Sequence, residues 1–193
     1  MGLDLTKTKT SVSDADIIVK LARAGELAVL GRIQETVLIP EKVRLEALKK
    51  IGTHSKGPDL ADCMKQGWLR VVDIYDSRAF RPGERPLIDA FMDANRDVLG
   101  PGELEAAALA HVLGIPLLFS DDRTAQLYIE KITDVVVLRL HEVIALGERR
   151  GMYSRDEAVA LFNKVNSLQE YPVTVPAFDL MTRANERFNR LKL

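Results

Sequence analysis

Residues 99–122 read LGPGELEAAALAHVLGIPLLFSDD. After the turn Gly100-Pro101-Gly102, the residues Ala106, Leu109, Ala110 and Leu113 recur at the spacing of a single helical face. Ile115 to Phe119 then forms an apolar run without polar alternation, the pattern of a strand covered on both sides. Two acids, Asp121 and Asp122, follow it. Working outward, the same alternation recurs. Buried-type strands are expected over 36–39, 69–74 and 135–140, and helices over 17–30 and 41–51. A further strand, TKTSV, precedes Asp14, although it is more polar than a central strand should be. This alternation predicts an α/β fold with a parallel sheet. The segments 52–58 and 76–86, rich in Gly, Pro and charge, read as exposed loops. Beyond Gly151 the chain reads as helical, with Ser154 and Glu157 spaced as a capping box.

The 193 residues, with 47% hydrophobic content, support one well-packed core. Basic and acidic residues nearly balance, 27 against 28, so no overall field draws the chain to nucleic acid or an anionic membrane. Any polyanion must be held locally. Cys63 is the only cysteine, which leaves no disulfide and no second thiol for zinc, and a cytoplasmic setting is expected. The opening MGLDLTKTKT lacks an apolar signal core, and no apolar run approaches the roughly 20 residues of a membrane span.

Four apolar stretches carry an acid: Asp14 in SVSDADIIV, Glu46 in IPEKVRLEAL, Glu103 in LGPGELEAAALA and Asp121 in LLFSDD. Carboxylates gathered at the carboxyl edge of a parallel sheet suit a hard ion such as Mg²⁺ or Mn²⁺, which prefers oxygen ligands and keeps several waters. Such an ion polarises a phosphodiester and lowers the pKa of an attacking water. Crowded carboxylates raise one another's pKa unless a cation sits among them. Each acid taken alone has a plainer reading. Glu103 complements the positive end of its helix, and Glu46 pairs with Lys49 or Lys50 on its own.

Arg78, Arg81, Arg85 and Arg123, near the strand edges, are candidates to neutralise phosphates, although any single one reads first as ordinary solvated surface. Trp68 and Tyr75 are candidates to stack on unpaired bases, with Trp68 expected in the core because it adjoins a buried strand. His54, His111 and His141 have no metal-ligand spacing. Cys63 reads as a packing residue, and GPGE lacks the Lys and Ser/Thr of a phosphate loop.

The phrases SDADIIVKLARAGELAVL, TVLIPEKVRLEAL and LGPGELEAAALAHVLGIPLLFSDDRTA, in this order and spacing, resemble successive blocks of a PIN-domain protein. The resemblance covers residues 11–140 and points to the prokaryotic, VapC-like branch whose third block reads Gly-Glu before an Ala/Leu-rich helix. It implies a PIN-like three-layer α/β fold over 1–150, with 151–193 as a C-terminal helical extension packed on the same domain. It also implies a Mg²⁺- or Mn²⁺-dependent endoribonuclease. Asp14, Glu46, Glu103 and Asp121 are then the catalytic acids, and Asp14, Glu103, Asp121 and Asp122 the metal ligands. Glu103 is favoured over Glu105 because the stretch from Glu103 to Asp121 lies gaplessly on the family pattern, and residues two apart do not share a helical face. Asp16 stands where many members carry Ser or Thr, and is a candidate extra ligand. The partners so implied are RNA, the antitoxin of a toxin–antitoxin pair and a second copy of the chain, with no membrane.

Two rival readings remain open. Asp14-Ala15-Asp16 resembles the nucleophile and acid pair of haloacid-dehalogenase-type phosphatases, which form an aspartyl phosphate from a monoester. That reading explains Asp16, but it requires a strongly apolar strand before Asp14 and leaves Glu46 and Glu103 idle. The third reading is a PIN-like module that binds RNA or protein without cleavage, against which stands the retention of all four acids.

Overall fold

The computed structural model describes residues 7–52 and 60–191. Five parallel strands, β1 (Thr10–Ser13), β2 (Thr36–Pro40), β3 (Leu69–Val72), β4 (Leu117–Phe119) and β5 (Val136–Leu138), form one sheet in the order β3-β2-β1-β4-β5. The α-helices are α1 (Ala15–Arg23), α2 (Ala28–Ile33), α3 (Glu41–Ile51), α4 (Leu60–Lys65), α5 (Glu84–Asn95), α6 (Pro101–Val112), α7 (Arg123–Ile132), α8 (Leu140–Arg149), α9 (Arg155–Asn166) and α10 (Ala177–Arg190). The expected α/β fold, a parallel sheet flanked by helices, is present.

Side chains alternate across the strands and feed two cores. Val37, Ile39, Leu117, Phe119 and Leu138 join residues of α1, α3, α8, α9 and α10 on one side. Val12, Leu118 and Val137 join residues of α6 and α7 on the other. The strand order reverses at β1: the chain runs outward to β2 and β3, then returns to lay β4 and β5 on the opposite side. In open α/β sheets the crevice at the carboxyl ends beside such a reversal is where ligands bind. The Asp14 N–H donates to Phe119 O at 2.9 Å, which fastens the end of β1 to the end of β4 at that point.

The expected strand at TKTSV is present and, despite its polarity, supplies β1, the central strand. Thr10 pairs with Thr36 on one edge and Val12 with Leu118 on the other, so the neighbours hold β1 in place while Ser11 and Ser13 are fully buried. The helix expected over 17–30 is two helices, because Gly25 takes a φ of 72°, the left-handed conformation that ends helices and favours glycine. The 76–86 segment holds a 3₁₀ turn at Ser77–Ala79 and the start of α5, where Pro86 is tolerated because first-turn N–H groups have no helical partner. In the 52–58 segment, positions 53–58 lie outside the described residues, as does His54. α6 buries more than one face: Ala106 through Ala110 are all fully buried, since the helix lies against β1, β2, β4, α3 and α5. The strands are shorter than their apolar runs, with Ile115 preceding β4 and Leu140 opening α8.

The C-terminal helices α9 and α10 pack on α8 within the first core. The capping box forms as expected, with Ser154 N donating to Glu157 Oε2 at 2.7 Å. Arg187 of α10 pairs with Glu142 at 2.5 Å and also with Glu130, joining α10 to α8 and α7. Among the described residues, no helix is long and apolar enough to cross a membrane.

Candidate metal and active site

Asp14 ends β1 and caps α1. Its Oδ1 accepts from the N–H groups of Asp16 at 3.1 Å and Ile17 at 3.3 Å. A short carboxylate suits this position both as a cap and as a charge at the positive end of a helix. Yet Asp14 is only 3% exposed. Burial pushes its carboxyl up to about 7; the nearby charges of Asp16 and Glu103 act in the same direction, and the Ile17 N–H opposes them. The buried Ser120 Oγ lies beside this carboxyl and makes no well-formed hydrogen bond among the described residues.

Asp14, Asp16, Glu46 and Glu103 line one cleft of about 240 Å³. Three helices bring them there: α1 through its first turn, α3 through Glu46, and α6 through Glu103. Glu103 is the third residue of α6, and its Oε2 accepts from Gly100 N at 3.1 Å. Its carboxyl is pushed up by burial, opposed by the Gly100 N–H, and pushed further by the charges of Asp122, Asp16 and Glu46. Carboxylates from separate elements therefore share one field. Lys50 Nζ stands among them, 2.7 Å from Glu46 and 3.0 Å from Asp16. Burial opposes its charge, but the two carboxylates outweigh burial and raise its pKa. It is the only cation lining this cleft among the described residues.

Asp121 is directed elsewhere. It pairs with Lys20, lies 3.5 Å from Arg139 Nε and accepts from Leu140 N at 3.2 Å, and it lines a different cleft. Asp122 is exposed and caps α7, accepting from Ala125 N at 2.8 Å, and among neighbouring charges it acts most strongly on Glu103. Of the adjacent pair, Asp122 therefore adds its charge to the cleft. The available sequence signal was its place three residues before Ala125, an N-cap spacing. Glu105 is buried away from the cleft beside Tyr75 and Lys42; burial raises its pKa and Lys42 opposes that. This agrees with the two-residue spacing that separates it from Glu103.

None of the four candidate arginines lines the acidic cleft. Arg78 pairs with Asp76 at 2.9 Å. Arg85 pairs with Asp89 at 2.7 Å and lies 5.1 Å from the Tyr75 ring centre. Arg81 and Arg123 are exposed. Trp68 packs against the core and close over Gly31. His111 packs on Phe91 with ring centres 5.2 Å apart, burial lowers the pKa of His141, and Cys63 is fully buried.

The donor set fits a hard divalent ion. It is oxygen only, and the raised Asp14 and Glu103 carboxyls are what a bound cation would relieve. Among the described residues, no three His, Cys, Asp or Glu side chains stand close enough together to hold an ion. Gly102 leaves the space open, since a Cβ there would stand 3.0 Å from Glu46 Oε2. Gly102→Ala is therefore expected to fold normally, alanine being the better helix former, while displacing the Glu46 carboxylate. Calorimetric titration with Mn²⁺ should show affinity weakened about tenfold, a loss of roughly 1.4 kcal/mol; unchanged affinity would remove Glu46 from the site.

A family model described as a PIN domain matches residues 10–133, which carry β1 through α7 and every acid of the cleft. No curated protein and no solved structure matches the chain.

Proposed function

The chain belongs to the PIN-domain family, and from that premise we propose that it is a Mg²⁺- or Mn²⁺-dependent ribonuclease acting at the cleft of Asp14, Glu46 and Glu103. PIN domains are nucleases, so a nucleic acid is the substrate class. The observation that carries the reading is the convergence of carboxylates from α1, α3 and α6 at the reversal point of the sheet, with Asp14 and Glu103 held against their own charge.

When bound, the ion would polarise the phosphodiester and lower the pKa of an attacking water. Asp14 and Glu103 would hold it, Asp14 from a position fixed by the start of α1 and Glu103 from the first turn of α6. Lys50 orients Glu46 and Asp16 and offsets their charge where a phosphate must approach. Asp122 adds charge at the rim. Asp121, tied to Lys20 and Arg139, is a positioning residue.

The phosphatase reading is less well supported. As a phosphatase the chain would leave Glu46 and Glu103 lining the same cleft as Asp14 without a task. Incubation with labelled single-stranded RNA, DNA of the same sequence and a generic phosphomonoester distinguishes these chemistries. RNA should be cut with Mn²⁺ or Mg²⁺ and left intact with EDTA. Monoester hydrolysis without RNA cleavage would overturn the proposal.

A further inference from the structure

We infer that a second cleft, beside the acidic one, holds the nucleotide that flanks the scissile phosphate of an RNA strand; the inference rests on the nuclease reading above. This cleft of about 320 Å³ lies between α1, the start of α8 and the segment joining α9 to α10. Its size is at the lower end of the roughly 300–1,000 Å³ of small-ligand sites, which suits one nucleotide.

Charge favours a phosphate. Lys20, Arg23 and Arg139 line the cleft against Asp121 and Glu170. Lys20 and Arg139 both turn to the one carboxylate of Asp121. Arg139 Nε is buried and has no hydrogen bond among the described residues. Two cations share the one carboxylate of Asp121, so positive groups outnumber it on this wall, and a planar guanidinium is the side chain best matched to phosphate oxygens.

Shape favours a base. The ring of Tyr171 is 84% exposed and shares the cleft with Phe162 and Leu180. Its segment is held in place: the Asn166 side chain donates to Val173 O and accepts from Val173 N, both at 2.8 Å. An exposed aromatic beside an apolar floor and cations is a stacking platform for unpaired nucleic acid.

The two clefts both draw on α1, which supplies Asp16 to one and Lys20 and Arg23 to the other. Asp16, Lys20 and Arg23 follow one face of α1 at four- and three-residue steps, and the rise from Asp16 to Arg23 is roughly 10 Å. Arg23 Nη2 donates to Lys50 O at 2.7 Å, joining the wall of one cleft to the wall of the other. A strand leaving the acids along α1 would meet Lys20 and Arg23 at the second cleft.

The test is fluorescence anisotropy of a labelled single-stranded RNA octamer with the full chain carrying Asp14→Asn, which keeps the RNA intact, in Mn²⁺. In that background Arg139→Ala and Tyr171→Ala should each weaken binding about tenfold. Tyr171→Phe, which keeps the ring, should bind like the parent, and Arg139→Ala should lower the salt slope by about one. Circular dichroism must show each variant folded; Arg139→Lys serves as a milder second variant. Unchanged affinity and salt slope in both alanine variants, or equal losses in Tyr171→Phe and Tyr171→Ala, would overturn the inference. Cleavage by the unmutated chain is measured separately. If it cuts RNA and the variants bind as the parent does, only the second cleft fails. If it does not cut and the variants still lose binding, the nuclease reading fails and the second cleft stands as an RNA-binding site without a scissile phosphate beside it.

Discussion

Asp14→Asn is expected to fold like the parent and to lose phosphodiester hydrolysis by on the order of 100- to 1,000-fold, the effect typical of removing one preorganised charge-stabilising group. Asparagine caps helices as well as aspartate does, so the two hydrogen bonds to Asp16 N and Ile17 N can persist while the charge is removed. The loss therefore reports on the carboxylate. The same substitution carries a stability signature whose sign is fixed by the raised pKa. The Asp14 carboxyl titrates at about 7 in the folded chain against an ordinary 3.8. Between roughly pH 4 and 7 the folded state holds the extra proton, so this group's contribution is fully present below pH 4 and is lost as pH rises through 7. The shift amounts to roughly 4 kcal/mol at most. In EDTA, the melting temperature of Asp14→Asn relative to the unmutated chain should thus rise from pH 5 to pH 8. A difference that stays flat would mean that Asp14 is not held against its charge.

Arg187→Ala should be the most damaging single change outside the cleft. Its guanidinium is 18% exposed, and its partner Glu142 only 6%. Removing one member of a buried pair costs about 3–5 kcal/mol, because the other charge is left without compensation. Partial exposure of Arg187 and Glu130 places the expectation near 3 kcal/mol, a melting shift of roughly 6–12 °C for a chain of this size. The loss falls on the docking of α10, since Arg187 joins it to both α7 and α8. Arg187→Met combined with Glu142→Gln should recover much of the stability, as apolar or neutral replacements of buried pairs do. Urea unfolding of the single and double variants checks both parts.

The contrast between Asp14 and Asp121 shows what could be read from the sequence. Asp14, Glu46 and Glu103 were legible because each sits beside an apolar run or a helix start, and such positions are fixed by local periodicity. Asp121 and Asp122 are neighbours just past β4, where the strand period no longer dictates direction. What turns Asp121 away is Lys20, 101 residues earlier in the chain, and no local pattern carries that information. β1 is a similar case: its serines look wrong for a central strand, and only pairing on both edges explains its place. The break at Gly25 was hidden because apolar residues continue across it. The docking of α10 depends on pairs of Arg187 with residues 57 and 45 positions away, which explains why the tail read only as helical.

The most direct measurement pairs two curves on the unmutated chain: Mn²⁺ bound per chain, and the single-turnover rate of RNA cleavage, each against Mn²⁺ concentration. Under the proposed function the ion is held by the same carboxylates that make hydrolysis possible, so both curves should rise together and both should collapse in Asp14→Asn and Glu103→Gln. Cleavage that persists in EDTA, or a full rate in either variant, would contradict the assignment of the acidic cleft as the active site.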